Sequence, residues 1–257
     1  MNTERIFFIN RLIKEISGLN YVLLNYFFDD VEQIPTGMPI EILIDKDDYT
    51  TLLYVISSSG RISFLRTRYG MRSQVIEIRF ADLSSVVLKI KAAIAASGSI
   101  LMEANDILKT ARIVKSSVRI PSAGFQFEYA LLNSALKKSN IPQYQQEYFG
   151  EMNFEKRSQI FAHITAKYKF VIHLLDDLYP FHSRNYSKIK SAIHRNKKNS
   201  GVHFFIHKVQ FFLQYMFTLF FARWKEISLT GQNARENSIK ESLNMALHKN
   251  AVVKLSS

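Results

Sequence analysis

Apolar and polar positions divide the chain into an early part with strand-like alternation and a later part with helical spacing. Ile6, Ile9, Leu12, Ile13 and Ile16 recur at helical intervals, which predicts a first helix from Ile6 to Ile16. Tyr21 to Tyr26 reads as a buried strand, and Pro35-Thr36-Gly37 as a turn. Ile40, Ile42 and Ile44 alternate with Glu41, Leu43 and Asp45, the period of two that marks a strand. Asp47-Asp48 then suits the cap of a helix through Leu52, Leu53 and Val55, which Ser57-Ser58-Ser59-Gly60 ends. Three further strand-like runs follow, Arg61 to Arg66, Gln74 to Phe80 and Ser84 to Ile90. After Gly98 the pattern turns helical, with an apolar helix from Ala123 to Lys138 and others at Phe154 to Tyr168 and Ser187 to His194. The expected fold class is α+β, a small mixed sheet with one crossover helix followed by a mainly helical region.

Composition narrows the classes of function. The 257 residues suffice for one large domain or two small ones, and 47% hydrophobic with 22% charged residues argues for a folded chain. No cysteine is present, which removes disulfides, zinc–thiolate sites and a cysteine nucleophile, and fits a reducing compartment. The N-terminal MNTERIFFINRLIKEI scatters charges where a signal peptide would need an apolar run. The net charge of +12 is uneven, with +2 up to Gly150 and +10 from Glu151 onward. Such asymmetry points to an anionic partner for the second part.

The run Gly37-Met38-Pro39-Ile40-Glu41-Ile42-Leu43-Ile44-Asp45-Lys46-Asp47-Asp48-Tyr49, with its strand–turn–helix order, resembles the nucleotidyltransferase superfamily. In that superfamily a helix and strand lead into a strand carrying Asp-h-Asp, h being apolar, and a later strand carries a third carboxylate. More closely, the run is similar to the N-terminal domain of large bacterial proteins from capsule and exopolysaccharide gene clusters, where it precedes a thymidylate-kinase-like domain. The similarity extends through Val87-Leu88-Lys89-Ile90, where such proteins read Leu-Asp-Ile, and through Arg119-Ile120-Pro121, covering roughly residues 20–140. It implies an α/β domain over 1–140, a basic helical region over 141–225, and a role in surface-polysaccharide synthesis alongside other proteins of that pathway. It also implies a cytoplasmic location, at most peripheral to the inner membrane.

Nucleotidyl transfer needs two or three carboxylates converging on Mg²⁺. Here the first motif position is Pro39, the second Glu41 and the third Lys89, so one carboxylate of three is kept. The placement puts Glu41 on an exposed strand end with Pro39 and Lys89 beside it. Asp45 shares the face of Glu41, but four residues of strand set it about 13 Å away. Glu77, on a later strand, is the other carboxylate that could approach Glu41. The Gly-Ser that precedes the motif in the superfamily is replaced by Leu24-Asn25-Tyr26. The resemblance therefore implies a catalytically degenerate domain without a cofactor. The alternative is a divergent nucleotidyl- or phosphosugar transferase using Mg²⁺ held by Glu41, Glu77 and one more carboxylate.

Near the end, Ile227 to Gly231 reads as a short strand entering a turn. Gly231-Gln232-Asn233-Ala234-Arg235-Glu236-Asn237-Ser238 then occupies the frame of G-x-x-x-x-G-K-S. Glu236 and Asn237 stand where a P-loop needs glycine and lysine, and a carboxylate in that cradle repels phosphate. Residues 226–257 thus resemble a truncated kinase start, not a working kinase.

Tyr186 to Asn199 carries Lys188, Lys190, Arg195, Lys197 and Lys198 without an acid, and Trp224 follows an apolar run from Val209 to Ala222. That run of about 14 residues falls short of the roughly 20 that span a bilayer. A basic surface helix touching an anionic membrane and an apolar helix buried among its neighbours are the two readings. Nucleic acid is a further anionic partner for this stretch, though no nucleic-acid-binding motif accompanies it. His203 and His207 have the spacing of a zinc pair but lack the glutamate between them and a third ligand. Asp176-Asp177 reads as a solvated helix face.

Overall fold

The computed structural model describes residues 3–28, 30–58, 62–70, 73–96, 99–114, 118–170, 181–198, 226–229 and 252–255. They form an α+β fold in two compact units. The first comprises residues 1–95, 100–120 and 210–257, and the second 96–99 and 121–209.

In the first unit, helix α1 (Thr3–Glu15) precedes strand β1 (Tyr21–Leu23) and a 3₁₀ turn at Val31–Gln33. Strand β2 (Ile40–Ile44), helix α2 (Tyr49–Ser57) and strands β3 (Ile62–Gly70), β4 (Ser73–Phe80) and β5 (Ser85–Lys91) follow. Two strands from the other end of the chain, β10 (Glu226–Leu229) and β11 (Val252–Leu255), complete a seven-stranded sheet of order β1-β2-β5-β4-β3-β11-β10. The β2–β5 and β10–β11 pairs are parallel and the others antiparallel, so the sheet is mixed.

Alternation explains the faces of this sheet. On β4, Gln74, Ile76, Ile78 and Phe80 are buried while Val75, Glu77 and Arg79 point the other way; on β5, Val86, Leu88 and Ile90 alternate with Val87, Lys89 and Lys91. The apolar face joins Ile40, Ile42 and Ile44 in one core with Phe8, Ile9, Leu12, Ile13 and Ile16 of α1 and Leu52, Leu53 and Ile56 of α2. Phe8 and Phe80 meet at 5.3 Å between ring centroids. Truncating a fully buried member such as Ile9 to alanine would cost about 2–5 kcal/mol. Buried Arg5 ties α1 to the turn before β2, donating from Nη2 to the carbonyls of Ile34 (3.0 Å) and Pro35 (3.1 Å).

The helical pattern expected from Gly98 sets in only at Ala123, because short strands come first. Strands β6 (Ala93–Ala96) and β7 (Ser99–Glu103) form one small ladder, and β8 (Arg112–Ile113) with β9 (Arg119–Ile120) another. Helix α3 (Ala104–Leu108), a single turn, lies against β2. These elements are too short to show a period. Asp48 sits at the start of α2 as expected, but its carboxylate makes no cap bond and accepts from the backbone N–H of Asn20 at 2.7 Å instead.

The second unit contains α4 (Ala123–Lys137), α5 (Gln143–Gly150), α6 (Phe154–Tyr168) and α7 (Ser183–Lys198). Phe127, Phe149 and Phe181 cluster at its centre, with ring centroids 5.0–5.7 Å apart. Ser122 and Asn153 cap the starts of α4 and α6 by accepting backbone N–H bonds. Lys138 and Lys169 end them in the left-handed conformation, at φ 53° and 52°. Arg157, 3% exposed, donates to the carbonyls of Phe149 and Gly150 and so closes α5. Among the described residues no helix is long and apolar enough to cross a membrane.

Candidate functional site

The polar face of the first unit's sheet carries the residues that the resemblance singles out. Glu41 on β2 and Lys89 on β5 are register partners in the parallel pair. Lys91 is two residues beyond Lys89 and shares its face. The Glu41 carboxylate is bonded on both oxygens, by Lys89 Nζ to Oε1 at 3.3 Å and by Lys91 Nζ to Oε2 at 2.8 Å. Its side chain is 5% exposed, against 29% for Lys89 and 18% for Lys91. Glu41 was expected on an exposed strand end; it is buried, on a face of β2 where Leu43, two residues on, is fully enclosed and against which α3 lies.

The segment before β2 is held by a side-chain clasp. Asn25 donates from Nδ2 to the carbonyl of Pro39 at 2.8 Å and accepts the backbone N–H of Glu41 on Oδ1 at 3.1 Å. Leu24 adds a backbone bond to the Glu41 carbonyl. Leu24 and Asn25 thus extend the contact of β1 with β2 by one backbone bond and a side-chain clasp.

The other two candidate carboxylates do not reach Glu41. Glu77 lies on β4, with β5 between it and β2, so two strand spacings of roughly 10 Å separate the backbones. Its carboxylate is taken by Arg68 Nη2 of β3 at 2.6 Å. Asp45 lies beyond the end of β2, where Oδ1 accepts the backbone N–H of Asp47 and shapes the turn into α2. Among the described residues no three His, Cys, Asp or Glu side chains stand as a metal-binding group. Mg²⁺ does not fit here. One carboxylate offers it oxygen, and each of the two oxygens of that carboxylate already accepts from an ammonium group, whose charge repels a cation.

Strands β2 to β5 nevertheless carry more positive than negative charge on this face. Arg66, Arg68, Arg79, Lys89 and Lys91 stand against Glu41 and Glu77. Arg79 is stacked over the Phe64 ring at 5.2 Å. Lys91 was not among the residues singled out from the sequence. The signal was present in the Lys89-Ile90-Lys91 alternation, which places both ammonium groups on the face of Glu41.

The basic stretch lies on α7. Its apolar side, Tyr186, Ile189, Ala192 and Ile193, is buried and packs on α4 and α6, while Arg184, Lys188 and Arg195 are exposed and Lys190 is half-buried. The side chains of Lys197 and Lys198, Trp224, the apolar run 209–222, His203, His207, Asp176, Asp177 and the P-loop-like frame 231–238 lie outside the described residues. The strands flanking that frame, β10 and β11, pair in parallel with each other, and β11 also pairs with β3 of the main sheet.

Comparison with protein-family models, with curated proteins and with solved structures finds no match for this chain.

Proposed function

We propose that this chain is a catalytically degenerate nucleotidyltransferase-like protein of bacterial surface-polysaccharide synthesis, acting by binding or scaffolding in the cytoplasm. The observation that carries the reading is the pair of ammonium groups on Glu41. In the resemblance, Lys89 stands at the position of a metal-ligating carboxylate, and here its charge replaces the metal's. A nucleoside triphosphate bound near Lys89 and Lys91 would meet cations that neutralise phosphate, but no divalent ion to activate an attacking oxygen. The net positive face favours retention of an anionic group over its turnover.

Two measurements test this. Incubation with nucleoside triphosphates and Mg²⁺ is expected to give no transfer or hydrolysis above background. Turnover that disappears in Glu41→Ala would establish the active transferase instead. In cells, deletion of the gene is expected to reduce surface polysaccharide, and Glu41→Gln is expected to restore it. Unchanged polysaccharide after deletion would refute the pathway, and failure of Glu41→Gln alone would refute the non-catalytic role.

A further inference from the structure

The second unit contains a carboxylate treated differently from Glu41. Glu128 of α4 is 3% exposed, and both of its donors converge on one oxygen. Lys167 Nζ reaches Oε1 at 2.7 Å and the Tyr168 hydroxyl reaches the same atom at 2.6 Å. Among the described residues no donor reaches Oε2.

Glu128 lines a groove of about 360 Å³ between α4 and α6. Helical spacing explains what faces it. Gly124, Phe125 and Glu128 recur at three and four residues on α4, and Ile160, Ile164 and Lys167 at four and three on α6. The walls are mainly apolar, with Ser122, Gln159 and His163 at their margin, and the base is a carboxylate. Gly124 lines the groove without a side chain, and a β-carbon there would lie in ordinary contact with Ile160 Cγ1 and Ser122 Oγ, each at 3.9 Å, so only a larger side chain would fill the groove. Oε2 is not among the fully enclosed, unpartnered polar atoms of the described residues, so it stays open to a donor that enters the groove.

We infer that the α4–α6 groove is a binding site for a small primary amine with an apolar body, its ammonium on Glu128 Oε2 and its body against Phe125, Ile160 and Ile164. Three features select a cation over a neutral donor. The acceptor is a carboxylate, and charge-assisted bonds are about twice as strong as neutral ones. The Phe125 and Tyr168 rings already attract an ammonium, with Lys167 Nζ 6.0 and 5.4 Å from their centroids. Two ammonium groups on one carboxylate is also an arrangement this chain uses, at Glu41. The inference is independent of the function proposed for the sheet face.

The test is calorimetric titration of the full chain with 2-phenylethylamine and with its neutral counterpart 2-phenylethanol. The amine is expected to bind saturably at one site, and the alcohol about tenfold or more weakly. Glu128→Gln preserves shape and an acceptor for Tyr168, and is expected to weaken the amine by about tenfold or more. Gly124→Leu places a side chain in the groove while improving helix propensity, and is expected to abolish binding. Absence of amine binding, equal binding of the alcohol, or amine binding that survives both substitutions would each overturn the inference. Should Glu128→Gln fail to fold, the Gly124→Leu and alcohol comparisons still decide.

Discussion

Replacing Lys91 with methionine removes the shorter of the two lysine bonds to Glu41 and leaves a carboxylate of 5% exposure with the longer Lys89 bond, at 3.3 Å. Breaking a fully buried ion pair costs about 3–5 kcal/mol, and an exposed one about 0.2–1 kcal/mol. This pair lies between those limits, with its acid buried and its lysines partly wet, so Lys91→Met is expected to cost about 1–2 kcal/mol. Glu41→Gln is expected to cost a similar amount, since Lys89 and Lys91 regain water only in part. The double variant should then be little worse than Glu41→Gln alone, because the ion pair between Lys91 and Glu41 is already gone. The coupling energy read from urea denaturation of the four proteins is therefore expected to be about 1 kcal/mol or more. Additivity within about 0.3 kcal/mol would show that the charges do not interact and would remove the support for ammonium in place of metal. A second arm guards the same reasoning: millimolar Mg²⁺ should not stabilise the wild type. A Mg²⁺-dependent gain that vanishes in Glu41→Gln would make Glu41 a metal ligand.

Burial pushes the Tyr49 hydroxyl up to about 12, and burial with the Glu128 carboxylate pushes that of Tyr168 upward too. Both phenols are therefore more easily ionised in the unfolded chain. Stability from these two groups should be intact below pH about 10 and fall as pH rises through about 12, which urea midpoints at successive pH values would show as a decline; flat midpoints over that range would contradict it. Lys138 and Lys169 hold left-handed backbone without being glycine, so Lys138→Gly and Lys169→Gly are each expected to raise stability by up to about 1 kcal/mol in the same assay. The exposed basic side of α7 predicts salt-sensitive co-sedimentation with anionic liposomes that Lys197→Glu with Lys198→Glu weakens; unchanged co-sedimentation at low salt would end the membrane reading.

What the sequence revealed of this fold follows from how much each element alternates. Residues 40–44, 74–80 and 84–90 carry a large apolar residue at every second position (Ile40, Ile42, Ile44; Ile76, Ile78, Phe80; Val86, Leu88, Ile90), and β2, β4 and β5 lie within a residue of those bounds. Helix α6 has the expected ends because Asn153 caps it and Lys169 breaks it. Strands β6 to β9 escaped notice because two to five residues hold no period. The pairing of Glu41 with Lys89 was legible from the placement of their motif, but its burial was not, since that depends on α3 lying against β2. Glu128 was not singled out, because it is one of several polar residues on α4. Its partners are 39 and 40 residues away, a distance that no local pattern bridges.

The position of β11 has a consequence for how the chain is made. Strand β3 is nine residues long and pairs with β4, its immediate successor, on one edge; its other edge pairs with β11, where Leu65 faces Val253. Those two residues are 188 positions apart, so at about 5–20 residues per second the ribosome needs roughly 10–40 s to supply the covering strand. Throughout that interval a nascent sheet presents open backbone donors and acceptors, the geometry that recruits a second chain. Chaperone dependence during synthesis, and aggregation of chains released before residue 252, are the outcomes this topology leads one to expect. Neither would be visible in the finished protein.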